Sequence, residues 1–168
     1  MDITYIISQI FVIIAMLSLG ISYLSKNKKK IMILCIVYSI MYGGQYLLLG
    51  AITGFTMNIV SIIRNIWFYI NAKSNNKNNI WVLIILCILA IIFGIITYDN
   101  IFSIIPILAT ILFTYSVWQD NTKTYRWLSL PISALWLSYN IIFKSTFGII
   151  AELVLLSFEI AGIVKNKD

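Results

Sequence analysis

Apolar residues run through this chain in unbroken blocks of about 20, separated by short polar connectors. That block length limits the possible folds more than any single residue does. A helix needs about 20 residues to cross a hydrocarbon core of about 30 Å. Charged residues make up 11% of the chain, against about a quarter in a soluble domain. The polar–apolar alternation of a membrane β-barrel is absent. The expectation is an all-α integral membrane protein with seven transmembrane helices, over 3–24, 31–49, 51–70, 80–97, 101–118, 126–143 and 147–164.

The connectors set the orientation. One set holds Lys26, Lys28, Lys29, Lys30, Lys73, Lys77, Lys123, Arg126, Lys165 and Lys167, and the other holds Lys144 with Asp2 and Asp99. The positive-inside rule puts the N-terminus outside and the C-terminus in the cytoplasm. Trp67, Trp81, Trp118 and Trp127 fall near the lysine-rich end, where an aromatic belt is expected. The net charge of +6 therefore reads as topology and lipid-headgroup contact, not nucleic-acid binding. The first span lacks a basic n-region and a small-residue cleavage site, so it reads as a retained span. Cys35 and Cys87 sit mid-span and read as packing residues, without a disulfide. There is no histidine, no serine beside a base and no glycine-rich phosphate loop. Neither an enzyme nor a metal or other cofactor is expected.

Sliding the chain by 94 residues lays spans one to three over spans five to seven without a gap. Asn27 falls on Asn121, Lys29 on Lys123, Ser39 on Ser133 and Gly54 on Gly148. Two three-span units can share one orientation only if a single span separates them, and span four is that span. The arrangement is 3+1+3, two parallel triple-helix bundles joined by a linker helix, with units 1–71, 72–100 and 101–168.

Polar side chains inside spans are costly and point to function. Span three carries Asn58, Arg64 and Asn65. At the matching depth, span seven carries Glu152 and Glu159. Asn58 with Glu152 forms an outer tier and Asn65 with Glu159 an inner one. Spans two and six add Tyr42 with Trp136, and Gln45 and Asn140. Together these suggest a midplane pocket for a small polar solute, walled by rings and oriented by amide and carboxyl groups. Glu152 could carry a proton or be a structural carboxyl group. Arg64, Asn65 and Glu159 read as gate or coupling residues, with an Arg64–Glu159 ion pair and an Asn65 interhelical bond as the structural alternatives. Gly43-Gly44 reads as a close-packing point or hinge, and Pro106 and Pro131 as static kinks or rocking points.

The stretches GAITGFTMNIVSIIRN and YNIIFKSTFGIIAELVLLSFE resemble the YgjV-type bacterial inner-membrane family over nearly the whole chain. That family is grouped with the SWEET/PQ-loop transporters. The resemblance implies a SWEET-like small-molecule transporter of the bacterial inner membrane, working by alternating access. The alternative is a non-transporting receptor of the same fold. It also implies a central site at Asn58, Glu152, Tyr42 and Trp136. Glu152 stands where that wider pattern has asparagine and Tyr42 where it has tryptophan, and no PQ dipeptide is present, so a sugar substrate does not follow. The partners expected are the lipid bilayer and a small polar solute. Nucleic acid is not expected, and homo-oligomerisation stays open.

Overall fold

The structure, a computed structural model, describes residues 3–48, 52–74, 78–98, 100–142 and 146–165. Asp2, Lys77, Asp99, Lys144 and Lys167, used above for topology, lie outside these residues. The helices are α1 (Ile3–Leu24), α2 (Lys28–Leu48), α3 (Ile52–Lys73), α4 (Ile80–Ile96), α5 (Ile104–Trp118), α6 (Thr122–Ile142) and α7 (Thr146–Lys165). A 3-10 turn, Ile101–Ser103, leads into α5. Among the described residues there is no strand.

Among the described residues, four segments are long and apolar enough to cross a membrane: α1, α2, α7, and α5 with its leading turn. Helix α4 is strongly apolar but has 17 residues. Helices α3 and α6 have the length, at 22 and 21 residues, but polar side chains interrupt their apolar runs. At the lysine-rich end α2 and α6 start earlier than the apolar blocks do. Asn27 Oδ1 accepts from Lys29 N at 3.0 Å and Asn121 Oδ1 from Lys123 N at 2.9 Å. These matched caps satisfy first-turn amides, so both helices extend about a turn beyond the apolar stretch that marks them in the sequence.

Most isoleucines face outward, Ile31 and Ile132 being buried exceptions. On α3 the exposed residues are Ile52, Ile59, Ile63, Ile66 and Ile70, while Met57, Val60, Arg64, Asn65 and Phe68 are buried. This inverts the soluble pattern, because hydrocarbon accepts isoleucine and cannot hydrogen-bond a polar group. Neighbour packing closes a circuit of six helices, α1–α2–α3–α5–α6–α7 and back to α1, with α4 against α3 and α5. The main apolar core lies toward the lysine-rich end and includes Tyr23, Met32, Phe68, Val117 and Tyr125.

Gly43-Gly44 is a close-packing point: a Cβ on Gly43 would lie 3.3 Å from Asn58 Cβ, and one on Gly44 would press into the Phe11 ring. Pro106 does not kink a helix. It sits in the first turn of α5, where a missing N–H costs little. Pro131 lies inside α6, which continues across it.

Gly162 makes the closest backbone approach, because any Cβ there would collide with the Tyr23 carbonyl. Backbone cannot swing aside as a side chain can. Gly162→Ala should destabilise the protein by about 1–3 kcal/mol and Gly43→Ala by clearly less, read as thermal unfolding in detergent micelles. Equal losses would remove the special role given to Gly162.

Candidate functional site

Two matched hydrogen bonds hold the centre. Asn65 Nδ2 on α3 donates to Ser39 Oγ on α2 at 3.3 Å. At the positions 94 residues later, Ser133 Oγ on α6 donates to Glu159 Oε1 on α7 at 2.6 Å. Asn65 and Glu159 are both fully buried. Each ties the second helix of its repeat to the third. In each repeat the bond runs to the serine of the adjacent helix.

Between these ties and the lysine-poor end lies a cavity of about 350 Å³. All six residues expected to contact a solute line it: Asn58, Glu152, Tyr42, Trp136, Gln45 and Asn140. The lining is built from matched positions of the two repeats. Tyr42 and Trp136, Gln45 and Tyr139, Tyr46 and Asn140, and Asn58 and Glu152 all contribute, as do less conspicuous pairs such as Leu19 and Phe113 or Ser61 and Leu155. Asn58 and Glu152 thus face one cavity, although Asn58 Nδ2 donates back along α3 to Gly54 O at 2.8 Å. Ser133 and Glu152 both line the cavity.

Tyr38, Tyr42 and Tyr46 stack up one face of α2, with successive ring centroids 5.0 and 5.8 Å apart. Only Tyr42 is among the residues expected to contact solute. The i, i+4 spacing that brings the other two to the same wall is readable in the sequence. Across the cavity Trp136 meets Tyr139 edge to face, with centroids 6.0 Å apart.

Arg64 also lines the cavity, and its expected ion pair with Glu159 does not form. Arg64 Nε donates to Asn65 Oδ1 and Nη1 to Thr114 Oγ1, both at 3.1 Å. Its guanidinium carbon lies 4.7 Å from the centre of the Phe113 ring. Arg64 leaves α3 about 100° round from Asn65, which aims it at α5, while Glu159 is held by α6.

At the lysine-rich end the two repeats clasp each other. Arg126 at the start of α6 donates from Nε to Tyr23 O at 2.8 Å and from Nη2 to Ser25 O, capping the end of α1. Lys28 at the start of α2 reaches Trp118 O at 3.4 Å, Gln119 O, and Asp120 Oδ1 at 2.9 Å, capping the end of α5. Each repeat thus stops a helix end of the other with a cation, where the carbonyl dipoles favour one. Tyr125 hydrogen-bonds Ser22 at 2.7 Å and stacks on Tyr23 with centroids 5.4 Å apart, filling the space between the caps. Nothing in the spacing of Arg126 alone reveals this role, because its acceptors are backbone carbonyls.

Cys35 and Cys87 are free thiols. Among the described residues no three His, Cys, Asp or Glu side chains gather as a metal site would require. Residues 6–168 match the model of a family described as bacterial inner membrane protein, Imp-YgjV. No curated protein matches the chain, and no solved structure does.

The matched serines are expected to differ in weight. Ser133→Ala removes the donor to a buried carboxyl oxygen and should cost about 1–3 kcal/mol. Ser39→Ala removes a longer bond to a neutral amide and should cost less. Thermal unfolding of the two variants checks the order, and a larger loss from Ser39→Ala would contradict it.

Proposed function

The chain belongs to the Imp-YgjV family of bacterial inner membrane proteins, and from that premise we propose that it is a small-molecule membrane transporter of SWEET-like fold working by alternating access. Helices α1–α3 and α5–α7 act as two parallel triple-helix units, and α4 is the linker against the α3–α5 seam. The observation that carries this reading is the cavity whose polar lining comes from matched positions of both repeats. A static channel has no need of a lining shared between two rigid halves. A carrier does, because rocking the halves about the cavity exposes the same groups to each side in turn.

In this cycle Asn58, Glu152, Gln45 and Asn140 hold the solute, with Tyr42 and Trp136 as walls. The lining reaches Asn100 and Phe147 at the lysine-poor end, while the clasp closes the lysine-rich end. With the lysine-rich end cytoplasmic, this is an outward-facing state. The inner gate is then the clasp of Arg126, Tyr125, Lys28 and Asp120. Arg64, Asn65 and Glu159 form the layer between cavity and gate, where solute binding couples to rocking. Glu152 is the group through which a proton can accompany the solute.

The test is counterflow in proteoliposomes with a panel of sugars, nucleosides, amines and carboxylates. Wild type should exchange at least one class, and Glu152→Gln and Trp136→Ala should each lower that exchange about tenfold or more without loss of fold. Binding of a panel compound with no exchange would instead make the protein a membrane receptor, the second reading of this fold. No exchange of any class would overturn the transport reading.

A further inference from the structure

We infer that the floor of the cavity is an anion site in which Arg64 receives the carboxylate of a small, flat monocarboxylic acid. This shares with the transport reading only the premise that a solute enters the cavity.

A guanidinium cannot shed its proton in a protein, so Arg64 is the fixed charge of the cavity. A carboxyl group such as Glu152 can exchange its charge for a proton. Arg64 is 2% exposed, and a charge buried that deeply is normally matched by an opposite one. Here it is not. Among the described residues the ion pair present is Lys28–Asp120, at the lysine-rich end. Both partners of Arg64 are neutral, Asn65 Oδ1 and Thr114 Oγ1.

Those partners also hold the group still. Asn65 is anchored on Ser39, which donates to Cys35 O at 2.9 Å. Thr114 donates to Thr110 O at 2.7 Å, so its oxygen is turned to accept from Arg64. The Phe113 ring packs against the guanidinium plane. Nε and Nη1 are thus engaged, and Nη2 remains for a ligand in the cavity that Arg64 lines. A planar donor edge fixed in a dry site matches a carboxylate, which can accept two parallel N–H bonds.

The rest of the cavity narrows the class. Tyr38, Tyr42, Trp136 and Phe113 line it with rings, so the body attached to the carboxylate should be flat and apolar. About 350 Å³ is at the small end for a ligand site. A phosphate ester would bring about two negative charges to one arginine, beside the Glu152 carboxyl. A cation would need the opposite pattern, with a fixed carboxylate and no guanidinium.

The test uses three isosteric probes, benzoate, benzamide and benzamidine, on the purified full chain in detergent micelles, by thermal shift and titration calorimetry. Benzoate should stabilise the protein and bind at least tenfold more tightly than benzamide, and benzamidine should give no stabilisation. Arg64→Lys keeps the charge but loses the fork, so it should weaken benzoate several-fold while retaining its advantage over benzamide. Arg64→Met should abolish the advantage. If either variant fails to fold, the wild-type charge series decides alone. Benzamide or benzamidine binding as tightly as benzoate, or no binding of any of the three, would overturn the proposal. Benzoate binding without benzoate counterflow would count against transport and leave the anion site standing. Exchange of a neutral solute with no benzoate binding would do the reverse.

Discussion

Hydrocarbon offers no hydrogen bonds, so polar side chains on these helices gain by finding partners in the protein, although among the described residues the buried Gln45 Oε1 and Glu159 Oε2 have none. The Ser39–Asn65 and Ser133–Glu159 bonds are where that constraint sets the geometry. They fix the rotation of α3 and α7 about their axes. With Asn65 turned toward α2, Asn58 two turns away falls on nearly the same face and reaches the cavity. The same relation carries Glu159 to Glu152. Arg64, one residue before Asn65, is rotated toward α5 and becomes the floor. The contents of the cavity follow from two serine bonds, one of which involves Ser133 of its lining.

The two repeats obey one plan and depart from it at their seams. Position 64 of the first repeat matches 158 of the second, and 114 matches 20. At the α3–α5 seam these positions hold Arg64 bonded to Thr114. At the α7–α1 seam they hold Phe158 packed so closely on Gly20 that a Cβ there would meet its ring at 2.7 Å. Glycine lets one pair of helices close, while arginine and threonine keep the other pair apart and place a charge between them. That exchange makes a near-symmetric bundle into a cavity with one charged wall. Helix α4 packs against the more open α3–α5 seam, shielding it from lipid. Helix α4 thus has a packing role of its own.

Much of this was legible in the sequence, because block length and the 94-residue match act at long range and tolerate drift in side-chain detail. The six expected solute-facing residues line one cavity since depth follows from counting residues along a helix. Contacts between helices were harder to read. Arg64 and Glu159 share a depth but not a direction, and the neighbours that satisfy them, Thr114 and Ser133, are common residue types with no mark of their own. Helix starts were misplaced by a turn at Lys28 and Thr122, since hydropathy reports the hydrocarbon boundary while asparagine caps set the end of the helix. Pro106 read as a kink because the 3-10 turn at Ile101–Ser103, which moves it into a first turn, depends on Asn100 and Ser103 capping each other.

The chemistry of the clasp bears on how such a bundle could open. Its strongest links run from Arg126 and Lys28 to backbone carbonyls at helix ends. A cation–carbonyl bond near the membrane surface can be exchanged for water or a lipid phosphate at little net cost, because both partners are well solvated once released. The Lys28–Asp120 pair, with Asp120 exposed, is of the kind that contributes a fraction of a kcal/mol. The ties below it, Ser39–Asn65 and Ser133–Glu159, are buried, and each lies within one repeat. In the proposed transport cycle, with ties inside each half and a clasp between the halves at one end, the halves would part along the line joining the clasp to the cavity. In that cycle the Tyr23–Tyr125 stack would be the last barrier, since its rings would have to slide apart before the lysine-rich end admits solvent.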